Sequence, residues 1–292
     1  MSSGVCVLRS HAAGSLRAAD AGHAVTLCGR TPRDSIEVRP DDGEPIVVPG
    51  PVLTDPAEID APVDVVLLAV KDTQNEQAGA WLARLCDERT VVGALQNGVE
   101  QVARVGRYCP ASTVVPAAVW VSAEPTPEGW FRLRTQARLV LPDTAGARTL
   151  AELFADSAVT VDIDPNFVSA AWHKLLVNAV VGLMVLSGRR AGMFRRDDVA
   201  ALARRYLAEC LAVARAEGAQ LGDEVIDEIV GLIASSPEDI TTSMLTDRQE
   251  HRRLEWDIRN GVIIRKAAEH GLSTPISDVL VPLLAAASDG PG

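Results

Sequence analysis

The sequence predicts an α/β N-terminal half followed by an all-α C-terminal half. Short apolar, β-branched runs alternate with helix-period segments as far as residue 165, the pattern of βαβ units around a parallel sheet. The strand signals then stop and long amphipathic segments follow. A chain of 292 residues is also long for one core and natural for two. The predicted domains are 1–165 and 166–292.

Taken in order, residues 5–8 form a short apolar run, and Ala24–Cys28 (AVTLC) is a strand preceded by Gly22-His23 as a helix stop. Residues 46–48 are a short run closed by Pro49 and Pro51. Residues 63–70 (VDVVLLAV) are almost continuously apolar, as expected of a parallel strand covered on both faces. Asn75–Leu85 reads as a helix with Trp81, Leu82 and Leu85 on one side, and residues 90–95 as the next buried strand, leading into QNGVE. Residues 113–121 and 131–141 predict two further strands, with the turn-rich EPTPEGW between them as a hairpin-like link. In the second half, helices are predicted over 166–185, 199–218 (ended by Gly218), 223–235, 247–270 (closed by His270-Gly271) and 276–287, the last kinked at Pro282.

Composition narrows the function. A hydrophobic content of 47% and a mean hydropathy of +0.11 exclude wholesale disorder. No apolar run is expected to reach the length of a membrane span, because residues 175–186 are interrupted by Asn178 and Gly182. MSSGVCVLRSH lacks the layout of a secretory signal, so a cytoplasmic location without a membrane partner is expected. A net charge of −11 argues against nucleic acid and leaves room for a small anionic substrate. The five cysteines, Cys6, Cys28, Cys86, Cys109 and Cys210, are odd in number and widely spaced. They read as reduced, buried thiols, with neither a disulfide framework nor a metal site.

A strand, glycine turn, helix and strand at the start of a dinucleotide-binding unit should carry G-x-G-x-x-G. Arg9-Ser10-His11-Ala12-Ala13-Gly14 stands in that slot, and only the third glycine, Gly14, is kept. Arg9 lacks the freedom of the turn glycine, and the His11 side chain stands in the path of the pyrophosphate. Residues 15–21 leave about two helical turns behind the slot. Three readings stay open: Arg9 and His11 give positive charge to phosphate directly, cofactor binding is impaired, or these first residues depart from the usual N-terminus. Arg30 follows AVTLC, with Arg33 behind it. At that strand tip an acid binds a free 2′-hydroxyl and an arginine accommodates a 2′-phosphate, so NADP is favoured over NAD; the alternative is a solvated loop arginine.

In AAWHKLLVNA, Lys174 and Asn178 are four residues apart and share one helix face. Both donate hydrogen bonds and the lysine can release a proton, which suits a carbonyl oxygen. The alternative is an ordinary amphipathic helix. Glu255 and Arg259 read as a surface i,i+4 pair and His270-Gly271 as a helix end. His173 points to another face from Lys174.

Six motifs follow one another along the chain. They are AVK-x-x-Q with Lys71 and Gln74, LQNG-x-E with Asn97 and Gly98, and KL-x-x-NA with Lys174 and Asn178. TSML-x-D with Thr242 and Ser243, E-x-D-x-x-NG with Glu255, Asp257 and Asn260, and HG-x-x-TP complete the set. In this order they resemble the ketopantoate reductase (2-dehydropantoate 2-reductase) family over nearly the whole chain. The resemblance implies a Rossmann-type N-terminal domain that binds NADPH. It implies a 6-phosphogluconate-dehydrogenase-like helical domain carrying the substrate site, the catalytic groups and a homodimer interface. The implied reaction is NADPH-dependent reduction of a small 2-keto acid, ketopantoate to pantoate in pantothenate and CoA biosynthesis.

By resemblance, Lys174 would be the general acid, supported by Asn178, and Glu255 would hold the lysine or the product hydroxyl. Asn97 would lie near the nicotinamide and the substrate. Gly14, Arg30, Lys71, Gln74, Asn97 and Glu255 would contact the cofactor. Ser243 and Thr242 would bind the substrate carboxylate, with Asn260 and Asp257 around them. The chain departs from the family where Gly182 and Leu183 replace a second asparagine and a proline, and where Ile240 replaces a polar residue; Ser187 and Arg189 are the compensating donors considered. Two other readings are a catalytically impaired member with a degenerate glycine turn and a 3-hydroxyacid dehydrogenase. TSML and E-x-D-x-x-NG weigh against the latter.

Overall fold

The computed structural model describes residues 4–9, 24–155 and 157–290. The Ser10–Gly14 slot, the short helix expected over 15–21 and the Gly22-His23 stop lie outside them. The chain divides into two compact units, Met1–Phe167 and Val168–Gly292.

The first unit opens with β1 (Gly4–Arg9) and β2 (Ala24–Cys28), then an antiparallel pair, β3 (Ser35–Pro40) and β4 (Ile46–Pro49). β5 (Val52–Leu53), β6 (Val65–Ala69), α1 (Asn75–Leu85), β7 (Val91–Ala94), α2 (Gln101–Gly106) and β8 (Thr113–Pro116) follow. Six strands pair in parallel in the order β5-β2-β1-β6-β7-β8, a doubly wound sheet. β6 explains its continuous apolar run. Val65 and Leu67 enter the core on one face of the sheet, and Val66 and Leu68 the core on the other. α1 covers the second face with Ala78, Trp81, Leu82 and Leu85.

Two predicted strands each divide in two. Residues 113–121 become β8 in the parallel sheet and β9 (Ala118–Trp120), which pairs with β12 (Arg138–Pro142) in a separate three-stranded sheet. Residues 131–141 become β11 (Phe131–Leu133), paired with β3, and β12, paired with β13 (Thr160–Asp164). Alternation reports which face a residue takes, not which sheet its strand joins. The hairpin link is real but local: it joins β10 (Ala123–Pro125) to β11. α3 (Ala145–Leu153), capped by the Thr144 hydroxyl, and β13 were not anticipated. Gly146 lets α3 close on the sheet, because a Cβ there would lie 2.9 Å from Val115 Cγ2.

The second unit is helical: α4 (Phe167–Val180), α5 (Gly182–Ser187), α6 (Asp197–Ala216), α7 (Glu224–Ser235), α8 (Ser243–Gln249), α9 (Val262–Glu269) and α10 (Ser277–Ser288, containing Pro282). The helix expected over 166–185 breaks at Val181. Even so, Phe167–Ser187 spans 21 residues with a mean hydropathy of 1.5, long and apolar enough to cross a membrane, contrary to the expectation above. Most of it is buried, as befits a core helix. Leu175, Leu176, Phe194 and Tyr206 are among the fully buried side chains around it. The long helix expected over 247–270 is also interrupted. α8 stops at Gln249, His251 takes a left-handed φ of 53°, and Arg252 folds back to donate its N–H to the Asp247 carbonyl (2.8 Å). The chain re-enters helix as a π-turn, Asp257–Gly261, that runs into α9. Gly218 and Gly271, at φ +95° and +66°, follow the ends of α6 and α9.

Candidate functional site

In the second unit the π-turn organises the polar groups. Residues 258–261 are all buried, and since consecutive helical residues step by about 100°, this turn is enclosed on every side. It contains Arg259, and Glu255 lies just before it. The pair is buried, not on the surface as the i,i+4 spacing suggested: Arg259 and Glu255 are 3% and 5% exposed. Arg259 Nη2 donates to Glu255 Oε2 and to Ser243 Oγ, each at 3.0 Å. Ser243, the first residue of α8, is exposed. A buried cation therefore reaches from the core to a surface hydroxyl.

Lys174 and Asn178 sit on α4, the lysine half-buried and the asparagine buried. Lys174 keeps some accessible surface, yet enough protein surrounds its ammonium to draw its pKa from 10.5 down to about 8. Desolvation is the larger cause, and the positive charge of Arg259 adds to it. His173 is paired with Glu228 of α7 at 3.5 Å, away from this chemistry.

Four expected participants are engaged otherwise. Asn260, expected at the substrate, is fully buried and donates through Nδ2 to the Ala179 carbonyl and the Tyr206 hydroxyl, both at 2.9 Å. It pins α4 and α6 to the π-turn, a role its NG motif does not advertise. Thr242 caps α8, its hydroxyl accepting from Leu245 N–H at 3.1 Å. Asp257 pairs with Arg265. The Ser187 hydroxyl donates to the Leu183 carbonyl at 2.8 Å, while Arg189 is exposed. Gly182 packs on Asn260, since a Cβ at 182 would lie 3.0 Å from Asn260 Nδ2.

In the first unit, Lys71 and Asn97 follow the carboxyl ends of the neighbouring strands β6 and β7, where ligands of open α/β sheets bind. Both are half-buried. An amide network ties their loops together. Gln96 Nε2 donates to the Val70 carbonyl at 2.9 Å and to Asn75 Oδ1 at 2.6 Å. Gln101 Nε2 donates to the carbonyl of Gly98 at 2.8 Å, and Gly98 itself holds φ +100°. Arg104 clamps Asp72 through two bonds of 2.8 and 2.6 Å. Gln74 Oε1 accepts from the Lys71 N–H at 3.4 Å, so that amide shapes the loop. Sequence reasoning missed Asn75, Gln96 and Gln101. The signal was a cluster of amides directly after two buried strands.

Arg30 is exposed just beyond β2. Arg33 is used structurally, donating to the Gly129 carbonyl at 2.7 Å and lying over the Phe131 ring. Gly14 lies outside the described residues.

Comparison with known proteins gives a consistent picture. The family described as "Ketopantoate reductase PanE/ApbA" matches residues 10–146, and "Ketopantoate reductase PanE/ApbA C terminal" matches residues 166–288. The chain is 63% identical to a 2-dehydropantoate 2-reductase of Mycobacterium tuberculosis, covering 100% of both chains. It is 36% identical to one of Caulobacter vibrioides, covering 91% of each. Among solved structures, a dimeric ketopantoate reductase from Staphylococcus aureus is similar with a TM-score of 0.87 and 25% identity, covering 98% of each chain.

Proposed function

Since the chain belongs to the ketopantoate reductase family, we propose that it reduces a 2-keto acid, ketopantoate to pantoate, with NADPH, as a homodimer. The observation that carries this reading is Lys174, an ammonium whose surroundings lower its pKa to about 8. A general acid is most effective when its pKa lies near the working pH. The described residues suit a nicotinamide dinucleotide: parallel strands with polar loops at their carboxyl ends, and the exposed Arg30 beyond β2 for a 2′-phosphate. When bound, NADPH supplies the hydride for the keto carbon.

The chain's own residues do the rest. Lys174 stabilises the charge that grows on the keto oxygen and delivers a proton to it. Asn178 and Glu255 hold Lys174 and the new hydroxyl. The exposed Ser243 hydroxyl donates to the substrate carboxylate. Asn97 and Lys71, on their tied loops, contact cofactor and substrate. The S. aureus relative described as dimeric supports the homodimer.

The test is NADPH oxidation by the purified chain with ketopantoate, with NADH alongside. Turnover that prefers NADPH, falls by about 10²–10⁴ in Lys174→Ala and shows a raised KM for the keto acid in Ser243→Ala is expected. No turnover, or a Lys174→Ala variant within about tenfold of the parent, would count against the proposal.

A further inference from the structure

Arg259 has no role in the reaction as set out above, yet its placement is costly. It is 3% exposed inside a turn whose neighbours Ile258, Asn260 and Gly261 are also buried. Its Nε is buried and has no hydrogen-bond partner among the described residues. Burying a guanidinium and leaving one of its N–H groups unmet both oppose folding, and an apolar side chain of similar volume would avoid both penalties. What the guanidinium gains is contact with two functional groups at once. Its Nη2 is 3.0 Å from Glu255 Oε2 and 3.0 Å from Ser243 Oγ, and its charge acts on Lys174.

The consequence for Ser243 follows from hydrogen-bond direction. A guanidinium can only donate, so the Ser243 oxygen is the acceptor. The serine's own O–H is then left to donate elsewhere, and Ser243 is exposed. An outward O–H donor is what a carboxylate requires. Gly182 and Ile240, the other positions considered for donors, carry no polar side-chain atom. We infer that Arg259 is a positioning residue for the proposed reduction: one buried guanidinium turns the Ser243 hydroxyl toward the substrate carboxylate, fixes Glu255, and adds positive charge beside Lys174. The inference rests on the functional reading above and deepens it.

The charged groups around Lys174 sort simply. Arg259 is the one whose charge lowers its proton affinity, Glu255 is held by Arg259, and His173 on the same helix is paired with Glu228. Removing the guanidinium therefore raises the proton affinity of Lys174, both by loss of a positive neighbour and by release of a negative one.

The chain has three lysines, Lys71, Lys174 and Lys266. With ε-carbon-labelled lysine, an NMR titration resolves each, and the Lys174 signal is identified by its loss in Lys174→Arg. The comparison is between the parent, Arg259→Met, which keeps the unbranched stem, and Arg259→Lys, which keeps the charge without the fork. In Arg259→Met the Lys174 titration and the basic limb of the kcat/KM profile move up together toward 10.5. In Arg259→Lys both stay near the parent. In both variants KM for the keto acid rises by on the order of tenfold, the loss of an oriented bond to a charged group, while KM for the cofactor is kept. Should Arg259→Met not fold, the KM split in Arg259→Lys alone decides. An active parent whose variants keep its KM and its Lys174 titration overturns the inference and leaves the functional reading standing. A parent that reduces no 2-keto acid overturns both.

Discussion

Proton delivery by Lys174 makes a demanding prediction about pH. With a pKa of about 8, roughly nine in ten Lys174 side chains are protonated at pH 7, half at pH 8, and about one in ten at pH 9. An ordinary lysine at 10.5 would still be almost fully protonated at pH 9. Reduction needs the protonated form, so kcat/KM for the keto acid should be flat below about pH 7 and fall close to tenfold per pH unit above 8. Oxidation of the hydroxy acid needs the neutral amine, so the reverse rate should rise over the same interval. Lys174→Arg, which cannot release a proton at these pH values, should lose about 10²–10⁴ in rate and lose the limb near 8 in both directions. The assay is NADPH absorbance under pseudo-first-order conditions from pH 6 to 10, with stability checked at each pH. A forward profile that stays flat to pH 10, or a Lys174→Arg variant that keeps the parent's limb, would refute the assignment of the proton to this residue.

Other outcomes follow from the same geometry. The folded state lowers the proton affinity of Lys174, so its penalty is fully present below about pH 8 and is relieved as pH rises toward 10.5. Lys174→Met should therefore be more stable than the parent at pH 7, by at most about 3 kcal/mol before allowing for the lysine's residual exposure, with the gap closing above pH 8 in denaturant titrations. Gly182→Ala should lower Tm by the equivalent of about 1–3 kcal/mol, because the new methyl meets an Asn260 that is already held by two partners; an unchanged Tm would show that the helices yield. Arg30→Glu should raise KM for NADPH and leave KM for NADH nearly unchanged, and equal effects on both would argue against contact with a 2′-phosphate.

The sequence was most legible where one physical rule dominated. The apolar run at 63–70 had to be a strand buried on both sides, and Asn75–Leu85 had to be a one-sided helix. Legibility failed where a long-range choice intervened. Nothing local in residues 113–121 or 131–141 announces that the chain changes sheets within them. The left-handed His251 that ends α8 is equally silent, because histidine carries no stop signal. In the site, the ordered motifs pointed to Lys174, Ser243 and Glu255. Arg259 was visible only as an i,i+4 partner, a spacing that is usually superficial, and its burial depends on the packing of α8 and the π-turn. Asn260 misled for the converse reason: an amide in a polar motif reads as a ligand group until its partners turn out to be a backbone carbonyl and a tyrosine.

The π-turn at Asp257–Gly261 also bears on how this chain tolerates length changes. A π-turn holds one residue more than the α-helical turn it replaces. Deleting a single residue there could rewind the segment to regular α-helix with every backbone bond remade, a change most helices cannot absorb. The cost would fall elsewhere. All of α9 would rotate by about 100° relative to Glu255, taking Val262 and Ile263 out of the core and carrying Lys266 away from Glu217, its partner at 3.4 Å. The extra residue thus acts as a phase setting between the polar groups before it and the apolar stripe after it, and neither half can be shortened by one without the other losing its register.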